Sequence, residues 1–144
     1  MSALTILAFD YGLRHIGVAV GQSLISSSNP ADIVRARDGV PDWQHIAKLI
    51  AEWQPNVLIV GLPLNMDGTD SAMTARARKF SRQLQERYKM SVELVDERLT
   101  SFAAKQSRKE NDRSIDFGND TVDAEAACII LQDYYRRLAE PSQP

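Results

Sequence analysis

Apolar residues arrive in short blocks along this chain, and the spacing inside each block indicates an element. Residues 4–10, LTILAFD, and 15–21, HIGVAVG, are two strand-length blocks separated by the turn YGLR. They predict an antiparallel hairpin, with Gly12 allowing the tight turn. Residues 25–37 hold a Ser/Asn/Pro loop and then an apolar pulse, which predicts a third strand at the sheet edge. Pro41-Asp42 opens a helix to about Trp53, with Trp43, Ile46, Ala47, Ile50 and Trp53 at helical spacing and Pro55 ending it. NVLIVGLP is a continuous apolar run and reads as a strand buried on both faces.

Beyond it, LNMDGTD reads as a loop, and Gly61, Pro63, Asn65 and Gly68 give that region a shaped turn. A helix is predicted over 71–88, with Met73, Ala77, Phe80, Leu84 and Tyr88 as its inner stripe. SVELVDE is the last strand, and a further helix starts near Leu99. Residues 107–120 are polar and charged and read as a mobile loop. The last helix runs from about Thr121 to Leu138, and residues 141–144 fray. The order predicts one α/β domain over residues 1–140 with a five-stranded mixed sheet flanked by helices. Its first three strands are antiparallel, and the last two join in parallel through helical crossovers.

Composition narrows the setting. The 144 residues are 44% apolar and 25% charged, ordinary for a folded protein. No apolar run reaches the ~18 residues of a membrane span, and MSALTILAFD lacks the features of a signal peptide. One cysteine, Cys128, cannot form an internal disulfide, and it sits among alanines and isoleucines as a small hydrophobe. A cytoplasmic protein is expected. The net charge of −2 excludes a uniformly basic nucleic-acid binder. Between Thr74 and Lys89, however, Arg76, Arg78, Lys79, Arg82, Arg87 and Lys89 face one acid, Glu86.

The candidate chemistry lies in the carboxylates. Asp10 ends the first strand, and Asp96 and Glu97 end the last. Sites in α/β sheets gather at the carboxyl ends of strands. On the last helix, steps of three, four, seven and eight from Asp123 reach Ala126, Ala127, Ile130 and Leu131, so Asp123 falls on the apolar stripe while Glu125 falls toward solvent. An acid there is either a first-turn partner of the helix dipole or a member of a site. His15 and His45 have no metal-ligand spacing, and Trp43 and Trp53 fall on a core stripe. Three inward carboxylates make an oxygen-only site that suits Mg²⁺ or Mn²⁺. Two such ions about 4 Å apart would serve phosphodiester hydrolysis.

Taken together, FDYGLRHIGVAV, VGLPLNMDGT, TARARKF, DERLTS and VDAEAACIIL resemble the YqgF/RuvX family, in order and over nearly the whole chain. The resemblance implies a ribonuclease H-like fold, a bacterial cytoplasmic setting and a nuclease of the 5′ end of pre-16S ribosomal RNA. The same family is also described as Holliday junction resolvases acting on four-way DNA. Carried over by motif, the acidic triad is Asp10, Glu97 and Asp123, which selects Glu97 over Asp96. Thr121 and Ala103 depart from the family pattern, which often has lysine and glutamate there.

Nucleic-acid contacts are expected from Arg76, Arg78, Lys79 and Arg82, whose face is otherwise a solvated helix surface. Arg98 either neutralises a scissile phosphate or pairs with a neighbouring acid. Asn65 either orients a phosphate or serves its own turn. The opening hairpin also resembles the phosphate loop of actin-like sugar kinases, but those need two such domains and this chain holds one. A non-catalytic RNA-binding maturation factor is a third reading. The expected assembly is a monomer or a weak homodimer.

Overall fold

The computed structural model describes residues 4–97 and 119–139, with backbone alone for 119–123. The predicted hairpin forms from β1 (Thr5–Asp10) and β2 (His15–Gln22), paired antiparallel. Strand β3 (Asn29–Arg37) continues the antiparallel half, with a register shift at Val18/Ala19. The expected count of five strands is corrected to six. The expected edge strand β3 is covered by the two-residue strand β4 (Val40–Pro41), which pairs Ala36 with Pro41 and Arg37 with Val40. Asp38 and Gly39 reverse the chain with φ of 50° and 84°, the two positive values that an Asp-Gly hairpin turn requires.

Helix α1 (Trp43–Trp53) starts on Asp42, whose side chain accepts from the His45 N–H at 3.3 Å. It buries Ile46 and Leu49. Ala47 and Trp53, expected on that stripe, are exposed. Ala47 stands about 100° round the helix from Ile46, off the buried side. Trp53 occupies the last helical position, just before Gln54 turns left-handed. Strand β5 (Val57–Leu62) is buried nearly throughout and lies parallel to β1. Gly61 belongs to this strand, as the apolar run predicts, and the shaped turn begins after Leu62.

Helix α2 (Ala72–Tyr88) opens with a Ser71/Thr74 capping box, and both hydroxyls also donate to the Pro63 carbonyl. Those bonds fasten its start to the end of β5. Strand β6 (Ser91–Asp96) pairs parallel with β5. The last helix, α3 (Asn119–Ala139), begins two residues before the predicted Thr121, so Asn119 and Asp120 are helical. The predicted helix near Leu99 and the loop over 107–118 lie outside the described residues. No helix among the described residues is long and apolar enough to cross a membrane.

The sheet order is β4-β3-β2-β1-β5-β6. On one face, Leu7, Phe9, Val18, Leu58 and Val60 pack with Ile46 of α1 and Phe80 and Leu84 of α2. On the other face, Ile6, Ala8, Ala19, Ile59 and Val95 pack with Ala127, Ile130 and Leu131 of α3. Alternation along each strand therefore decides which layer a side chain joins.

Candidate active site

Asp10 is the last residue of β1, half-buried. Ile6 and Ala8 lie in the core under α3, so Asp10, two residues on, faces that same side. Both of its sheet neighbours are glycines. Gly17 of β2 is its antiparallel partner. On the other flank the register runs Phe9 to Val60, which sets Gly61 of β5 beside Asp10 one position further. The positions paired with Asp10 on both neighbouring strands thus carry no β-carbon. The turn that follows is closed by Gly12, where a β-carbon would lie 2.5 Å from the His15 carbonyl oxygen. Tyr11 turns to the opposite face, where its ring packs 5.0 Å from that of Phe80 and its hydroxyl donates to the Gly39 carbonyl.

Glu97 follows β6 directly. Its N–H donates to the Leu62 carbonyl at 3.0 Å, so the strand pairing carries on through it. Only 9% of the residue is exposed. Its Cγ lies 3.1 Å from where a β-carbon on Gly61 would stand, and Ile130 of α3 leans into the same space at 2.5 Å. Asp10 and Glu97 therefore flank Gly61 on the α3 face, at the carboxyl ends of β1 and β6, which lie about 10 Å apart with β5 between them. Asp96 points the other way, because its partner Leu62 belongs to the core under α1 and α2. Its carbonyl accepts from Arg137 at 3.0 Å. Glu97, and not Asp96, shares the face of Asp10.

The third acid of the expected triad, Asp123, lies in the first turns of α3, with its side chain outside the described residues. The positions that its helical spacing singled out, Ala126, Ala127, Ile130 and Leu131, are all buried. Glu125, expected in solvent, is half-buried. Among the described residues no three His, Cys, Asp or Glu side chains come together to hold a metal ion. Two carboxylates on one face suit a hard divalent cation. Glu97 adds to that face a buried carboxylate, an oxygen donor of the kind such a cation takes.

The basic residues of α2 belong to the opposite layer. Arg76 and Lys79 line a cleft of about 470 Å³ with Tyr11, Gly39 and Trp43. Arg76 reaches the turn that Tyr11 holds, its Nη1 2.9 Å from a β-carbon position on Gly39. Arg78 pairs with Asp70 at 3.4 Å, and Arg82 is exposed. The Asn65 side chain donates to Thr69 Oγ1 at 3.0 Å and the Asp70 carbonyl at 3.2 Å, so its amide stitches its own loop. Arg98 lies outside the described residues. Trp43 packs on Phe80 and under the Arg87 guanidinium, 4.0 Å above its ring, and Cys128 is buried. His45 pairs with Asp32 at 2.8 Å.

The family model of RuvX, described as Holliday junction resolvase, matches residues 4–137. The chain belongs to the RuvX family. A protein of Marinobacter nauticus named "Putative pre-16S rRNA nuclease" is 52% identical over 134 residues, 93% of this chain and 94% of that protein. A protein of the same name in Saccharophagus degradans is 44% identical over 137 residues, 95% of this chain and 96% of that protein. Among solved structures, RuvC of T. thermophilus in complex with a Holliday junction substrate aligns with a TM-score of 0.52 at 14% identity, covering 94% of this chain and 96% of that one. The fowlpox virus resolvase in complex with Holliday junction DNA aligns with a TM-score of 0.55 at 13% identity, covering 95% of this chain and all of that one. These two show that RuvX shares the ribonuclease H-like fold of the resolvases. RuvX membership makes the chain a nuclease, a hydrolase of nucleic acid. Enzymes of this fold and family generally use divalent metal ions.

Proposed function

We propose that this chain is a metal-dependent nuclease that processes the 5′ end of pre-16S ribosomal RNA in the cytoplasm, through a single ribonuclease H-like domain over residues 1–140. The observation that carries the reading is the placement of Asp10 and Glu97 on one face, either side of Gly61. The names of the curated relatives supply the substrate.

Asp10, Glu97 and Asp123 would hold Mg²⁺ or Mn²⁺. Two bound divalent ions supply an activated water and charge stabilisation at the attacking and leaving oxygens. The chain supplies position. Pairing on both sides fixes the backbone of Asp10, and the bond to Leu62 fixes that of Glu97. Gly61 lets Glu97 and Ile130 pack closely over β5, which sets the Glu97 carboxylate on the face of Asp10. Arg76, Arg78, Lys79, Arg82 and Arg98 add positive charge for the incoming backbone, and Asn65 holds the loop before α2 in shape. An RNA 5′ end requires no symmetry in the enzyme, so a monomer or a weak homodimer suffices.

The test is cleavage, side by side, of a pre-16S precursor, an unrelated single-stranded RNA and a four-way DNA junction, with Mg²⁺ or Mn²⁺ and with Asp10→Asn as control. Metal-dependent cleavage of the precursor that Asp10→Asn abolishes is the expected result. Preference for the four-way junction would make the chain a resolvase instead. RNA binding without cleavage would make it a non-catalytic maturation factor.

A further inference from the structure

The cations that share a face with Asp10 are not those of α2. In β3, Val34 and Ala36 pack into the core under α1 and α2. Alternation turns Arg35 and Arg37 to the other face, the one that carries Asp10 and Glu97. The cross-strand register agrees: Ile16 pairs with Val34 within that core, and His15 pairs with Arg35 on the opposite side.

Their position along the sheet follows from the same register. Asp10 pairs with Gly17, and Gly17 with Ile33 of β3. β3 points in the same direction as β1, so Arg35 lies two residues nearer the carboxyl edge than Asp10. That places it about 10 Å to the side of Asp10 and about 7 Å further along, with Arg37 beyond it. Both arginines are exposed, and neither forms an ion pair among the described residues. Arg78 of α2, by contrast, is engaged with Asp70.

Clustered carboxylates repel a polyanion until cations offset them. A strand that reaches Asp10 over this face meets Arg35 and Arg37 on the β3 side. Guanidinium is the side-chain group best matched to a phosphate, because its planar fork can donate two parallel hydrogen bonds. We infer that Arg35 and Arg37 form a phosphate-binding track for single-stranded RNA, gripping the backbone on the β3 side of the scissile bond. This inference rests on the nuclease reading above.

The test is equilibrium binding of a fluorescein-labelled single-stranded RNA in EDTA, titrated between roughly 50 and 200 mM salt. Arg35→Gln/Arg37→Gln is compared with the wild type, with the charge-preserving Arg35→Lys/Arg37→Lys, and with Lys48→Gln/Lys89→Gln, which removes as much charge elsewhere. Each phosphate contact of a single strand contributes a slope of about 0.7 in log K against log salt, so the glutamine pair should lose about 1.4. The lysine pair and the Lys48/Lys89 pair should keep the wild-type slope. Equal slopes and affinities for the wild type and the arginine-to-glutamine pair would overturn the track while leaving the nuclease reading intact. A wild type that neither binds nor cleaves RNA would overturn both.

Discussion

Glu97 packs directly over Gly61, its Cγ 3.1 Å from the position that a β-carbon on residue 61 would occupy. Ile130 Cδ1 crowds the same point at 2.5 Å. Gly61→Ala should therefore cost about 1–3 kcal/mol of stability, the usual range for overpacking, and lower cleavage at least tenfold by displacing Glu97. Gly61→Ala/Ile130→Val removes the Cδ1 clash and should restore the melting temperature without restoring activity. Full activity in Gly61→Ala would show that Glu97 tolerates the displacement.

Asp10→Asn keeps the shape of the side chain and removes its charge, so the fold should be unchanged. Loss of a metal-holding carboxylate removes several kcal/mol of transition-state stabilisation, which corresponds to a fall of about three orders of magnitude in rate. Single-turnover cleavage, with Mn²⁺ binding by calorimetry as a second readout, checks this. Unchanged Mn²⁺ affinity would remove Asp10 from the metal site.

Arg76 and Arg78 carry the same charge on one helix but stand in different surroundings. Arg78 is paired with Asp70, whereas Arg76 stands at the Gly39 turn that Tyr11, the residue after Asp10, holds. Arg76→Gln should weaken RNA binding more than Arg78→Gln, and should flatten the salt dependence by about one phosphate contact. Equal binding curves for the two variants would assign no special place to Arg76.

The strands, the helix over 71–88 and the antiparallel-then-parallel order were legible because each depends on spacing within a short window. Layering was not, because it depends on which strand pairs with which. Asp96 and Glu97 look alike in the sequence. Only the family motif selects Glu97 there, and their opposite faces emerge once Val95 is seen to pack under α3 and Leu62 under α1 and α2. The face of Arg35 and Arg37 is hidden for the same reason, since it is set by pairing with β2. Two local signals do carry tertiary information. Asp38-Gly39 is a strong hairpin dipeptide, and it would have announced β4. Gly61 interrupts a buried strand, which usually marks a close approach, here by Glu97 and Ile130.

The other end of the β6–α3 contact gives a test at alkaline pH. The Tyr134 hydroxyl donates to Glu93 Oε2 at 3.1 Å. Burial first, then the charge and hydrogen bond of Glu93 and the neighbouring Tyr135, push its pKa up to about 12. An unfolded chain releases the same proton near 10. Below that value both states hold the proton and the group adds no pH dependence. Between about 10 and 12 the unfolded chain loses it first, so stability falls as pH rises. Tyr134→Phe should lower stability at neutral pH by about 1 kcal/mol through the lost hydrogen bond. It should also remove this share of the alkaline decline, so the urea midpoints of variant and wild type converge as pH climbs through that window. Tyr88 and Tyr135 are raised too, chiefly by burial, and they contribute equally to both proteins. Midpoints that stay a constant distance apart from neutral pH to about 12 would show that Tyr134 titrates alike in the folded and unfolded chain.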